Sequence, residues 1–346
     1  MKKLASKACR MLATLSAIAL SQEAASTLAG SNAQGDIPYF GQSVSPASRP
    51  SIDSASCSQL NDRLTKNKLS AANQDAPSLD PARVFAIYLR SIGADLGASI
   101  VEAVPDEFAW WIHFMGPVSA LSLGAAVHES SHALDQYLVI CGNRTARFRI
   151  GSKTFSTDLL PNQTPGVAHL LLESNPPELS LLTPIRREAY VIRAATGNDL
   201  VTLLSEVSAY LADAHTEVAL YERALSGHAL FPNSTTSRNA GFSGLIDMLV
   251  LLKVYLRQLE MSPDSNLAKI SQKSEIACLI AMAHSSAKSL VKHAIDRQLP
   301  QRLGYAIGLE RSKALQFAEL VEPASDSGFS YRQITGNSSQ QSLCWR

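Results

Sequence analysis

From Val118 to Leu134 the chain carries a single charged residue, Glu129, and that residue is bracketed by histidines. The run reads Val118-Ser119-Ala120-Leu121-Ser122-Leu123-Gly124-Ala125-Ala126-Val127, then His128-Glu129-Ser130-Ser131-His132. Its Ala and Leu content favours helix. On a helix, residues four apart lie one above the other, so His128 and His132 share a face and Glu129 lies one step round. A helix this apolar must be buried, and buried polar groups must find partners. The rest of the chain must therefore wrap this helix and satisfy two imidazoles and a carboxylate together. A metal ion does so directly.

The spacing suits that answer. Two imidazoles at i and i+4 can hold one zinc ion. The ion lowers the pKa of a water towards ~7, and Glu129 is near enough to take the proton as general base. Asp135 lies seven positions after His128, on the same face, where it could orient an imidazole from behind. A catalytic zinc needs a third protein ligand and an open fourth position. Glu206 is the best candidate for that ligand. It starts a stripe with Tyr210, Asp213 and Glu217 at i, i+4, i+7 and i+11, which is helical spacing. Leu203, Leu204, Val207, Leu211, Ala214 and Val218 occupy the other faces and read as core. The stripe also has a plainer reading as a solvated face. Glu173, Glu188, Glu217 and His169 are rival ligands. Tyr210 and Asp213 are expected to support the site. Tyr190, Tyr210, His215 and Tyr305 are candidates to stabilise an oxyanion.

The helix bearing His128-Glu129-Ser130-Ser131-His132 among uncharged neighbours resembles the zinc helix of the zincin metallopeptidases. Asp135 and Leu138 stand where the metzincin pattern has a glycine and a third histidine, which excludes that subclass. The aspzincin G-T-x-D pattern is absent too, leaving a glutamate-type, gluzincin-like site. The resemblance spans that helix and the Glu206 segment. It implies one zinc ion on His128, His132 and Glu206, with Glu129 as general base in the hydrolysis of a peptide or protein substrate. The zincin edge strand normally precedes the zinc helix; the clear strand pair here follows it. A substrate strand could add to that edge. The chain lacks the second motif that resembles intramembrane zinc proteases.

The expected fold class is mainly α, or α+β with a small β-hairpin, as a zincin-like helical domain. Asp80-Pro81 reads as a helix start, followed by an apolar face of Val84, Ile87, Tyr88, Ile92 and Leu96. Ala109–Met115 reads as one element, cut from the next by Pro117. The hairpin is expected at Arg147–Ile150 and Lys153–Ser156, around Gly151-Ser152. A long helix should run from Asp199 to about Leu225. Phe242–Leu259 should be an apolar helix with Lys253 and Arg257 on its wetter side. Further helices are expected over Leu267–Ile295 and Gly308–Leu320.

The ends read differently. Lys2, Lys3, Lys7 and Arg10 precede the uncharged run Met11–Leu20 and then small residues. That is the layout of a secretory signal peptide, too short to span a bilayer as a helix. Residues 1–25 are read as the signal, 26–56 as a flexible leader, 57–322 as the domain and 323–346 as a polar tail. The expected location is secreted or periplasmic, with no stable membrane span once the signal is removed. Cys57, Cys141, Cys278 and Cys344 then remain, an even number suited to an oxidising compartment. Cys278, in an apolar run, reads as the one most suited to stay free. The formal charge is +1, without the basic excess that gripping nucleic acid requires. Loss of the signal would make the chain slightly acidic. With 46% hydrophobic residues, the chain is not wholly disordered. The competing expectation is a secreted helical binding or scaffold protein with a structural or incidental His-Glu-x-x-His.

Overall fold

The computed structural model describes residues 57, 59–60, 81–115, 120–141, 146–150, 153–157, 163–192, 199–226, 240–263, 270, 274–299 and 311–321. The expected signal, leader and tail lie outside them, as do Cys9, Cys344, Tyr305 and Gly151-Ser152.

The described residues are mainly helical, with one two-stranded antiparallel sheet. In chain order the helices are α1 (Pro81–Ser91), α2 (Asp95–Ala103), α3 (Pro105–Phe114) and α4 (Ala120–Cys141). Strands β1 (Ala146–Ile150) and β2 (Lys153–Thr157) follow, then α5 (Val167–Ser174). After a 3-10 turn at Pro177–Leu181, a helical turn at Pro184–Arg187 runs into a π-helical turn at Glu188–Ile192. Helices α6 (Leu200–Leu225), α7 (Ala240–Glu260), α8 (Ser274–Asp296) and α9 (Ser312–Phe317) complete the order.

Helix α6 is the axis. Asp199 caps it, accepting from the Thr202 backbone N–H at 3.0 Å, which satisfies one of the donors a helix start leaves unpaired. Apolar residues surround it. Leu203, Leu204, Val207 and Leu211 join a core shared with α7, α8 and the sheet. Ala212, Ala219 and Leu220 join a second core with α1–α4. Burying each large aliphatic side chain stabilises by roughly 1.5–3 kcal/mol. The stripe of Glu206, Tyr210, Asp213 and Glu217 also turns inward. Tyr210, Asp213 and Glu217 are buried and Glu206 half-buried, so the solvated-face reading fails.

Helix α4 lies antiparallel to α6. His132 meets Ser205, His128 meets Tyr210, and Gly124 lies against Asp213, in reverse sequence order. Gly124 makes the last approach possible, because a Cβ there would strike the Asp213 carboxylate. The sheet has the expected register, with Ile150 opposite Lys153 and Phe148 opposite Phe155. Phe148 and Ile150 enter the core.

Several expectations are corrected. The first helix stops at Ser91 because Gly93 takes φ 85°, and the Ala94 N–H turns back to the Leu89 carbonyl at 2.8 Å. This is a Schellman-type stop. Leu96 therefore belongs to α2. Ala82, Phe85, Ala86 and Leu89 make the buried face, while Ile87 is exposed. Helix α3 starts at Pro105, not Ala109, since proline suits a first helical position and Asp106 and Glu107 suit a first turn. Lys253 is buried, not on a wet side. Its Nζ donates to the Phe317 carbonyl at 2.7 Å and to Glu319 at 2.9 Å. Arg257 is half-buried and pairs with Glu178 at 2.6 Å. Helix α9 is shorter than expected. Cys57 and Cys141 form a disulfide with Cα atoms 5.3 Å apart, fastening residue 57 to the end of α4. Cys278 is disulfide-bonded rather than free. Among the described residues no helix is long and apolar enough to cross a membrane.

Candidate metal centre

The antiparallel pair α4/α6 brings three side chains to one point. The Nε2 atoms of His128 and His132 are 3.1 Å apart. Glu206 Oε2 is 3.6 Å from His128 Nε2, and Glu206 Oε1 is 3.6 Å from His132 Nε2. Four-coordinate zinc with bonds of about 2.0–2.1 Å separates neighbouring ligand atoms by about 3.3 Å. The three spacings bracket that value, and the donor set suits zinc as well as other divalent ions. Among the described residues, these three form the group of His, Cys, Asp or Glu side chains able to hold a metal.

The charges agree with that reading. Burial pushes the His128 imidazole down, against the pull of Glu206. Burial acts the same way on His132, but the charge of Glu206 and its hydrogen bond outweigh it and raise His132 to about 9. Glu206 is the counterpart. Burial would raise its carboxyl, yet His132, and hydrogen bonds to both histidines, hold it well below the usual carboxylate range. The cluster thus draws positive charge into a buried place.

Bracing groups surround the ligands. The Tyr190 hydroxyl donates to Glu206 Oε2 at 2.9 Å and lies 3.4 Å from the Tyr210 hydroxyl. The Tyr210 ring sits edge-on to His128, centroids 4.3 Å apart. Its other company is Arg186, whose guanidinium carbon is 4.7 Å from the ring centroid, a cation–π arrangement. Ser205 lies between Asp135 and His132, donating to Asp135 Oδ2 at 2.6 Å with its oxygen 2.9 Å from His132 Nδ1. Burial raises the Asp135 carboxyl to about 7, against the Ser205 hydrogen bond and the His132 charge.

No protein-family model matches the chain, and no curated protein or solved structure matches it either. The site is read from its own geometry.

Of the residues singled out in the sequence, His128, His132 and Glu206 converge as expected. Glu129 is half-buried beside them, close enough to favour the charged form of both imidazoles. Tyr210 touches a ligand. Asp135 reaches His132 only through Ser205. Asp213 sits a turn further along α6, against Gly124 and Gly241. Burial and then Glu217 raise its carboxyl well above the ordinary range, with Arg186 opposing. The rival ligands fall elsewhere. His169 and Glu173 face each other in solvent, and Glu217 accepts from the Phe242 N–H at 2.8 Å. Ser205 and Arg186 were not picked out. Ser205 carried one usable signal, its place beside Glu206 on the expected helix. Arg186 carried none, since a short turn delivers it.

Proposed function

We propose that the chain is a zinc-dependent peptidase with a glutamate-type, zincin-like centre: His128, His132 and Glu206 as ligands and Glu129 as general base. The observation that carries this reading is the arrival of Glu206, from a different helix, at ligand distance from both histidines of the motif. Zinc bound there would supply a Lewis acid that polarises a carbonyl and makes water acidic enough to ionise near neutral pH. The protein's own groups do the rest. Glu129 follows His128 directly and takes the proton from the attacking water. Tyr190 and Tyr210 brace Glu206 and His128 from behind. The His132 and Glu206 side chains retain 21% and 14% exposure, which leaves the approach for substrate on their side, while His128 is closed in at 2%. The substrate class is a peptide or protein outside the cytoplasm, following the expected export of the chain.

The burial of His128, with His132 and Glu206 half-buried beside it, favours one second reading, a structural metal site in a secreted binding or scaffold protein. Metal analysis of the purified full chain, with hydrolysis of a mixed peptide library, separates the two. The expected result is about one zinc per chain and cleavage that Glu129→Gln lowers by about 10²–10⁴-fold without loss of zinc. Zinc without cleavage points to the structural site. A wild-type chain that takes up no zinc overturns both.

A further inference from the structure

Ser205 stands between a buried carboxylate and a metal-ligand imidazole, and its hydrogen-bonding capacity is limited. A serine hydroxyl has one proton to give and lone pairs with which to accept. Its proton goes to Asp135 Oδ2 at 2.6 Å. Asp135 is buried at 6% exposure, and its other oxygen, Oδ1, has no hydrogen-bond partner among the described residues. The carboxylate is thus aimed at Ser205 and at nothing else described. With the proton committed, the Ser205 oxygen can only accept from His132 Nδ1, 2.9 Å away. Nδ1 must then carry hydrogen, which leaves Nε2, the atom that faces His128 Nε2 at 3.1 Å and Glu206 at 3.6 Å, as the ring nitrogen that can offer a lone pair to a metal.

We propose that Ser205 is a positioning residue that relays Asp135 to His132, fixing the His132 tautomer and ring orientation that turn Nε2 towards the metal. This rests on the metal reading of the triad. Metal-binding imidazoles commonly give their second N–H to a carboxylate or carbonyl directly. Here the carboxylate sits one hydroxyl further back, so its hydrogen-bonded hold on the ring passes through residue 205. Serine is small enough to fit between α4 and α6, and alanine in its place would leave Nδ1 and Asp135 facing each other without a bridge.

The experiment uses the full chain and zinc itself. Zinc affinity is measured by chelator competition for wild type, Ser205→Ala and Ser205→Thr. Zinc-loaded protein labelled with 15N-histidine is examined by NMR for the His132 ring proton. The expected results are an affinity about 10–100-fold weaker for Ser205→Ala, recovery in Ser205→Thr, and a wild-type proton on Nδ1 that exchanges slowly with water and faster in Ser205→Ala. Unchanged affinity and exchange in Ser205→Ala, or a wild-type His132 protonated on Nε2 and bound through Nδ1, overturns the relay and leaves the metal site standing. A wild-type chain that binds no zinc overturns the metal reading, and the relay with it.

Discussion

Lys253 and the His128–His132–Glu206 triad are both buried polar features of this core, and they are satisfied in opposite ways. Around Lys253 the charges match within the protein. Its ammonium meets the Phe317 carbonyl and Glu319. Nearby Asp247 accepts from the Thr183 N–H at 3.2 Å and its hydroxyl at 2.6 Å, and also from Arg311. Together with His284 on the Ala318 carbonyl at 2.9 Å, these contacts hold residues 311–321 against α7 and α8. At the triad, two ring nitrogens and a carboxylate point at one another, Glu129 and Asp135 favour positive charge on His132, and the Arg186 guanidinium is held against the Tyr210 ring rather than paired with Glu206. A cluster of the first kind is complete and serves stability. A cluster of the second kind offers ligand atoms to a cation, which is the reading proposed above.

The comparison breaks most visibly at Lys253. Lys253→Ala removes the buried ammonium that pairs with Glu319 at 2.9 Å, and breaking a buried pair in this way typically costs about 3–5 kcal/mol. Lys253→Met fills the space without a charge and should cost much less. Urea denaturation measures both, and zinc content should be the same in both as in wild type. Loss of zinc from either variant would mean that the two clusters are coupled, against the division drawn above.

The converse test is Glu206→Ala. A ligand that binds only the folded state stabilises it by about 2.7 kcal/mol at a hundred times its dissociation constant. Zinc in such excess should raise the melting temperature of the wild-type chain and of the Lys253 variants, but not that of Glu206→Ala. Calorimetry with and without zinc reads the difference. An equal zinc response in Glu206→Ala would remove Glu206 from the ligand set.

Periodicity made Glu206 legible. A polar residue every third or fourth place on an otherwise apolar helix must face something particular, and here it faces α4. The same reasoning failed at Lys253, because its partners come from residues 317 and 319, and no pattern within α7 announces a carbonyl so far along the chain. It also ran α1 on into α2, where apolar spacing continues through Leu96 although Gly93 has turned the backbone. Ser205 and Tyr190 needed more than spacing. Ser205 matters through the relative rotation of two antiparallel helices, and Tyr190 through a π-helical turn that changes where its side chain points. Helix identity, cap and buried stripe are local properties. The meeting of side chains from different elements is not.

The smallest predicted effect isolates what the carboxylate does at the triad. His215 lies on α6, as Glu206 does, and its imidazole is largely buried. Burial, helped by nearby His293, lowers it from 6.5 to about 4. His132, across on α4, is pushed the same way by burial but finishes at about 9 because Glu206 faces it. The shift at His215 has a definite sign in stability. Between those two values the unfolded chain binds a proton that the folded chain refuses, so stability falls as pH drops from about 6.5 towards 4 and rises again on return. At about 1.4 kcal/mol per unit, His215 should account for about 2 kcal/mol of stability lost between pH 7 and pH 5. Urea denaturation at those two pH values, for wild type and His215→Gln, gives its share as the difference between their slopes. A slope unaltered by His215→Gln would mean that His215 keeps its proton in the folded state. Burial would then not be enough to neutralise an imidazole in this core, and the charge of Glu206 would have less to overcome at His132.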